Sequence, residues 1–199
     1  ADGIILRDVE RVEEVLADGI PAVVVGHRRK EFAGIANVVT DSDAVGQLAA
    51  EHLLSCGFKH FAYCGYAESS WSTERCESFV RRISQAGFEV KTQFVQARET
   101  EGAWRKVRDM IRGWLRRLPK PAGLMACNDD LGKEVMETSK LAGLRVPDDI
   151  AVIGADNDDV VCGLADPPMS SIAINFERAG YEAAQVLRDL MRGGKEALH

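Results

Sequence analysis

AVIGADNDDVVCGLADPP, residues 151–168, is the stretch that decides how this chain folds. Together with Ile150 it opens as an apolar run to Ile153, bounded by Pro147 and Gly154. A short apolar run between turn signals, arriving after a helical pattern, reads as a buried parallel strand. It then breaks into Asp156, Asn157, Asp158 and Asp159, which places four polar side chains just past the strand's carboxyl end. In open parallel sheets that edge is where ligands bind. The competing reading makes Asp156 or Asn157 a cap for the next segment and leaves the rest as solvated loop.

Two more strand ends repeat the pattern, and this shifts the balance toward a binding edge. Residues 61–64 form an apolar run that opens into a polar loop over 65–72, carrying Ser69, Ser70 and Trp71, with Arg75 at the following helix start. Residues 123–126 form another, ending in Cys127-Asn128-Asp129-Asp130. If the three strands are parallel neighbours, these ends share one edge.

The rest of the chain alternates in the same way. Residues 3–6 and 22–25 read as strands around a helix over 8–17, with Gly19 as its stop. Residues 37–40 are a weak strand. A helix follows to Ser55, capped from Asp41, Ser42 or Asp43, with Val45, Leu48, Ala49, His52 and Leu53 as its apolar face. Ser72 or Thr73 is expected to cap the next helix, which ends at Gly87. Residues 90–95 read as a further strand. A helix over 101–118 turns Trp104, Val107, Ile111, Trp114, Leu115 and Leu118 inward, and its Arg105, Arg108, Arg112, Arg116 and Arg117 read as a solvated face. Helices over 131–142 and 177–191 flank the opening stretch and an extended segment over 170–174. Strands alternating with helices at this spacing give an α/β fold with parallel sheets and right-handed crossovers.

Composition narrows the function. The chain has 199 residues, 46% hydrophobic and 28% charged, enough for one large or two small globular domains. Its net charge of -6 argues against wrapping nucleic acid or lying on an anionic membrane. No apolar run approaches the roughly 20 residues of a membrane span. The five cysteines, Cys56, Cys64, Cys76, Cys127 and Cys162, are odd in number, scattered and without a CxxC, which points to a reducing compartment.

The three strand ends offer a guanidinium with five donors, an amide that donates and accepts, a carboxylate that accepts, and an indole plate. This set suits a neutral polyhydroxylated ligand, because each sugar hydroxyl donates and accepts and a sugar's C–H face lies flat on an indole. Each residue has a plainer reading. Trp71 could be packing and Arg75 a surface helix residue. Asn128 and Asp129 could be helix caps; Asp129 is taken mainly as a cap and Asn128 as the ligand contact. Ser69, Ser70 and Asn157 are weaker candidates.

Enzyme signatures are thin, and no turnover, catalytic residue or cofactor is expected. GxGxxG, GxxxxGK[ST], GxSxG and HExxH are absent, and His27, His52, His60 and His199 show no metal-ligand spacing. Asp156, Asp158 and Asp159, helped by Asp129 and Asp130, would hold Mg²⁺ if this were a phosphotransfer or hydrolase domain.

The segments DGIILR, PAVVVG, DAVGQLAAEHLLSCGFKHFAYCG, SSWSTERCESF, ACNDDLGKEVMETSKLAGLRVPDDIAVIGADND and PPMSSIAINFERAGYEAAQVLRDLMRGG run in one order along essentially the whole chain. In that order they resemble the effector-binding domain of lactose-repressor-type regulators and the related periplasmic sugar-binding proteins. ADNDDVVCGLADPPMSSI is most similar to bacterial xylose operon regulators.

The resemblance implies a type I periplasmic-binding-protein-like fold: two doubly wound parallel-sheet lobes joined by crossing strands, with the ligand between them. It divides the chain into 1–41 plus 171–199, an N-terminal lobe expected to lack its first βα units, and 42–170, the C-terminal lobe. It carries ligand-binding roles onto Arg75, Asn128 and Asp156, and less directly onto Trp71. Two positions depart from the family pattern. Gly26 and His27 stand where many members carry a carboxylate, and Ile174 stands at a usually polar crossing position, followed by Asn175, a weaker ligand candidate. The function implied is sensing of xylose or another pentose by a cytoplasmic, homodimeric transcription regulator. DNA contact would come only through a DNA-binding domain outside this chain, and no membrane is involved. A periplasmic sugar-binding protein feeding a transporter is the alternative.

Overall fold

The computed structural model describes residues 2–7, 14, 16–17, 19–26, 35–96 and 101–193, without the side chains of 101–104. Residues 8–13 and 15 of the helix expected over 8–17, the Arg28–Lys30 cluster, His27, His199 and the Trp104 side chain fall outside the described residues. Among those described, two compact units emerge, 1–40 with 175–199 and 41–174.

The smaller unit holds a parallel sheet of β1 (Ile4–Arg7), β2 (Ala22–Val25) and β3 (Ala36–Val38), with β2 central. β2 is β-branched and buried at Val23 and Val24. Such side chains fit a strand covered on both faces. A helix of the same unit, Phe176–Met191, packs Ala183, Val186, Leu187 and Leu190 against Val23 and Ala36.

The larger unit is built on five parallel strands: β4 (His60–Tyr66), β5 (Val90–Val95), β6 (Ala122–Ala126), β7 (Ile150–Asp156) and β8 (Ser170–Ala173). Their spatial order is β5-β4-β6-β7-β8. The chain leaves β4 toward one edge, makes β5, then crosses back to lay down β6 on β4's other side. The winding direction therefore reverses between β4 and β6, and ligands bind outside the carboxyl ends of strands at such a switch point. Cys64 of β4 pairs with Ala126, the last residue of β6, and β4 runs on two residues further to Tyr66.

Helices cover the sheet: α1 (Ser42–Ser55), α2 (Ser70–Gln85), α3 (Glu101–Arg117), α4 (Asp129–Leu141) and the short α5 (Asp159–Leu164). The Phe176–Met191 helix of the smaller unit is α6. Tyr63, Phe79, Ile111, Leu115, Leu124 and Ile150 form the fully buried centre. On α3, Ile111, Trp114 and Leu115 are inward as the periodicity requires, as is Leu118 just past its end. Arg105, Arg116 and Arg117 are exposed, but Arg108 and Arg112 are half-buried, and Arg108 Nε donates to the buried Glu134 at 3.0 Å instead of facing solvent.

Several local expectations need correction. Leu48 is 51% exposed and His52 is also exposed. Both line an open groove beside the short edge strand β8, where α1 has little sheet beneath it. The polar loop expected over 65–72 is shorter, because β4 runs to Tyr66 and α2 starts at Ser70. Ser69, not Ser72 or Thr73, occupies the cap position, and the buried Ser72 hydroxyl accepts from the Tyr66 N–H at 2.9 Å. β7 continues through Gly154 and Ala155 to Asp156 because β8 pairs alongside it, Asp156 opposite Ala173. That pairing also keeps 171–174 in the larger unit, past the boundary at 171 expected from sequence.

Candidate functional site

Three elements of the larger unit meet at the switch point: the first turn of α2, the β6–α4 junction and the end of β7. Tight packing draws α2 in. A Cβ on Gly65 would meet Ser72 Oγ at 2.5 Å, and one on Gly46 of α1 would overlap the Arg75 carbonyl. Glycine at both positions lets α2's first turns sit close against β4 and α1.

Arg75 is thereby buried, 4% exposed, contrary to the surface-helix reading. Its Nη1–H donates to the Cys127 carbonyl at 2.5 Å, bridging the gap between the ends of β4 and β6. Its Nη2 faces Asp156 Oδ1 at 3.5 Å. The guanidinium carbon lies 4.9 Å from the Trp71 ring centre, a cation–π contact, and Tyr66 meets Trp71 edge-on at 6.2 Å. Arg75 Nε is buried and has no hydrogen-bond partner. A buried donor without a partner is costly and calls for an explanation.

Asn128 combines both of its sequence readings. Its extended backbone makes it the N-cap of α4, and its Oδ1 accepts from the Leu131 N–H at 3.1 Å. The amide nitrogen is not used in that cap. Asp129, expected mainly as a cap, is not one. It is 2% exposed; its Oδ2 accepts from the Asp158 N–H at 2.8 Å and its Oδ1 from the Ser171 hydroxyl at 2.5 Å.

Asp156 is not a cap either. Asp158 caps α5, its Oδ1 accepting from the N–H groups of Val160 and Val161 at 2.9 Å each. Asp156 closes β7 with φ 114°, and Asn157 follows with φ 55°, two consecutive non-glycine residues in the left-handed half of backbone space. Such conformations cost about 1–3 kcal/mol each and cluster at binding sites. Burial pushes the Asp156 carboxyl up to about 6; Arg75 pulls it down, and Asp129 and Asp130 push it up.

Among the weaker candidates, Ser69 makes no side-chain cap bond and Ser70 is exposed at the helix start. The exposed Asn157 donates its backbone N–H to Ser171 Oγ at 3.0 Å. Asn175 belongs to the smaller unit and caps α6, accepting from the Arg178 N–H at 2.8 Å. Sequence reasoning missed Asp129's linking role, Ser171, and Tyr66 as Trp71's neighbour. Only the NDD run hinted at the first.

Among the described residues, no group of three or more His, Cys, Asp or Glu is placed to hold a metal ion. Asp129 and Asp158, two of the carboxylates a Mg²⁺ site would need, are engaged with backbone N–H groups. No helix of the described residues is long and apolar enough to cross a membrane.

Similarity to known proteins bears on the family and the fold. The family profile described as periplasmic binding protein-like domain matches residues 50–199. The chain is 30% identical to the xylose operon regulatory protein of Escherichia coli K12, over 96% of this chain and 50% of that protein. It is 27% identical to the Haemophilus influenzae protein of the same name, over 98% and 52%. The chain thus spans about half the length of the curated relatives it matches. The solved structure of a xylose-binding transcription activator, xylR, superposes with a TM-score of 0.83 at 27% identity, covering 96% of this chain and 52% of that one. A ribose-bound LacI family regulator from Enterococcus faecium, 24% identical over 98% of this chain and 73% of its own, gives 0.80 and supports the fold.

Proposed function

The chain belongs to the periplasmic binding protein-like domain family, and we propose that it is the sugar-sensing part of a transcription regulator, with xylose or another pentose as effector. The observation that carries this reading is Arg75. It is a buried guanidinium at the sheet's switch point, paired with Asp156 and stacked on Trp71, with its buried Nε left without a hydrogen-bond partner. A sugar hydroxyl both accepts from a guanidinium and donates to a carboxylate, so one hydroxyl can sit between Arg75 and Asp156. Ligand roles are proposed for Arg75, Asp156, Trp71 and the free amide of Asn128. Ser69, Ser70 and Asn157 stand at the margin, and Asn175 is a minor candidate from the smaller unit.

Binding would act by population shift: the sugar favours one arrangement of the protein and so biases an attached DNA-binding module. Relatives named as xylose operon regulators support that role and the choice of pentose. All five cysteines are free thiols, which supports a reducing compartment, as a cytoplasmic regulator needs, over a periplasmic transport role.

The test is calorimetric titration of the protein with D-xylose, L-arabinose, D-ribose and D-glucose. A pentose should bind with micromolar to millimolar affinity, and Arg75→Met should abolish the heat. Absence of binding by any pentose sinks the assignment.

A further inference from the structure

Asp129 contacts no proposed ligand position, yet it is one of the most deeply buried charged side chains of the larger unit. A carboxylate in such a place needs hydrogen bonds, and this one takes them from two other segments. Its Oδ2 holds the Asp158 N–H and its Oδ1 holds the Ser171 hydroxyl of β8. Ser171 Oγ in turn accepts from the Asn157 N–H at 3.0 Å. The two residues held in this way, Asn157 and Asp158, directly follow Asp156. Asp156 and Asn157 both have positive φ, a conformation that persists only where the surroundings over-determine it. Packing makes the same point. A Cβ on Gly154 would overlap Asp129 Oδ1, so β7's backbone lies directly against that carboxylate.

We propose that Asp129 is a positioning residue for Asp156: through Asp158 and Ser171 it holds the turn after β7 against β8, and its charge sets the field in which Asp156 meets a ligand. The inference rests on the reading of Asp156 as a ligand group. β8 is also the strand after which the chain passes, at Asn175, into the smaller unit. Ser171 therefore ties the ligand turn to β8.

The charged and titratable groups around Asp156 are Arg75 from α2, Asp129 and Asp130 from α4, and Cys127 after β6. Of these, Asp129 is the larger of the two carboxylate influences, and it raises Asp156. A sugar bound by an ionised Asp156 should be held above the carboxyl's pKa, near 6, and released as the pH falls through it.

The experiment uses the protein, Asp129→Asn and Ser171→Ala. It measures D-xylose affinity from pH 5 to 8, and the carbon-13 titration of the Asp156 carboxyl, assigned with Asp156→Asn. Asparagine at 129 keeps an acceptor for Asp158 and a polar group for Ser171 but removes the charge. Its Asp156 midpoint should move down toward the ordinary carboxylate range, and its affinity should survive to lower pH than the parent's. Ser171→Ala keeps the charge and loses both hydrogen bonds of that hydroxyl, to Asp129 and from Asn157, so it should weaken D-xylose binding about 2- to 10-fold at every pH with the midpoint in place. A parent-like midpoint and parent-like affinities in Asp129→Asn overturn the proposal. If that variant fails to fold, an unchanged affinity and an unchanged Asp156 carbon shift in Ser171→Ala do the same. If the parent binds no pentose, the sugar reading fails, and the ligand-free titration still decides for or against Asp129.

Discussion

Arg75 Nη2 stands 3.5 Å from Asp156 Oδ1, joining a guanidinium side chain 5% exposed to a carboxylate 32% exposed. The asymmetry matters. Arg75 is locked on its inner side by the Cys127 carbonyl and roofed by Trp71, whereas Asp156 keeps part of its carboxylate open. At 3.5 Å the pair is looser than an ideal charge-assisted bond of about 2.7–2.9 Å. A hydroxyl that donates to Asp156 and accepts from Arg75 would improve both partners.

Removing the guanidinium should therefore damage stability as well as binding. Arg75→Met leaves the Cys127 carbonyl without this donor and Asp156 without its counter-charge. Breaking a fully buried pair costs about 3–5 kcal/mol; with Asp156 partly open and 3.5 Å away, the loss should be smaller, about 1–3 kcal/mol. Because Asp156 can relieve the loss by taking up a proton, the cost should be larger at pH 8 than at pH 5. Urea unfolding at the two pH values measures it. A loss below about 0.5 kcal/mol at both, within the usual range for surface substitutions, would return Arg75 to a surface role.

Asp156 itself should show a stability penalty when charged. Its folded pKa, about 6, lies above the ordinary carboxylate value of 3.8. Between those values the folded state holds more protons than the unfolded state, so stability falls as pH rises through this window. Asp156→Asn mimics the neutral form. In the absence of ligand it should raise the melting temperature relative to the parent at pH 7.5, and the gain should shrink toward pH 4. Its sugar affinity should nevertheless fall, by about 2–4 kcal/mol or less, since the amide keeps one acceptor. A melting difference that does not change with pH would show that Asp156 does not titrate in this window.

The apolar runs at 61–64, 123–126 and 150–153 were sufficient to locate β4, β6 and β7, because buried parallel strands leave an uninterrupted hydrophobic signature. The switch point was not legible, since strand order depends on crossovers that no local pattern encodes. Arg75 was ambiguous for a related reason. In sequence it sits in a polar helix start, and only close packing at Gly46 and Gly65 draws that turn under the sheet edge. Asn128 and Asp129 are adjacent residues that both cap well. The extended backbone at Asn128 decides which of them does, and frees Asp129 to reach β8.

Trp71 has less freedom than a residue in an open loop. It lies in the first turn of α2, half-buried against the main core, with Arg75 over its ring and Tyr66 at its edge. At least part of its role is to hold Arg75. Trp71→Ala should thus lower both sugar affinity and melting temperature, with about 0.5–2 kcal/mol lost from the cation–π contact alone. Trp71→Phe should recover part of each. A Trp71→Ala variant that melts like the parent and binds sugar like the parent would exclude both stacking roles.

The cysteines offer a readout of the site that needs no ligand. Cys56 is exposed at the end of α1, with Sγ 3.8 Å from His52 Nε2. Cys64, Cys76 and Cys127 are buried, and Cys162 is intermediate. Burial pushes Cys76 and Cys127 up to about 12 and Cys162 to about 11, and it moves Cys64 upward as well. Only the thiolate reacts with disulfide reagents, and at pH 8 a thiol near 12 is ionised to about one part in ten thousand. With a chromogenic disulfide at pH 8, Cys56 should label first, Cys162 slowly, and the other three only as fast as the protein opens. Cys127 is the informative member, because its carbonyl is the one that Arg75 holds. Arg75→Met should loosen the β6 end and speed Cys127 labelling more than that of Cys64 on neighbouring β4. Prompt labelling of Cys127 in the parent would mean that the switch-point edge is open to solvent, and that Arg75 is not the buried bridge on which the proposed site depends.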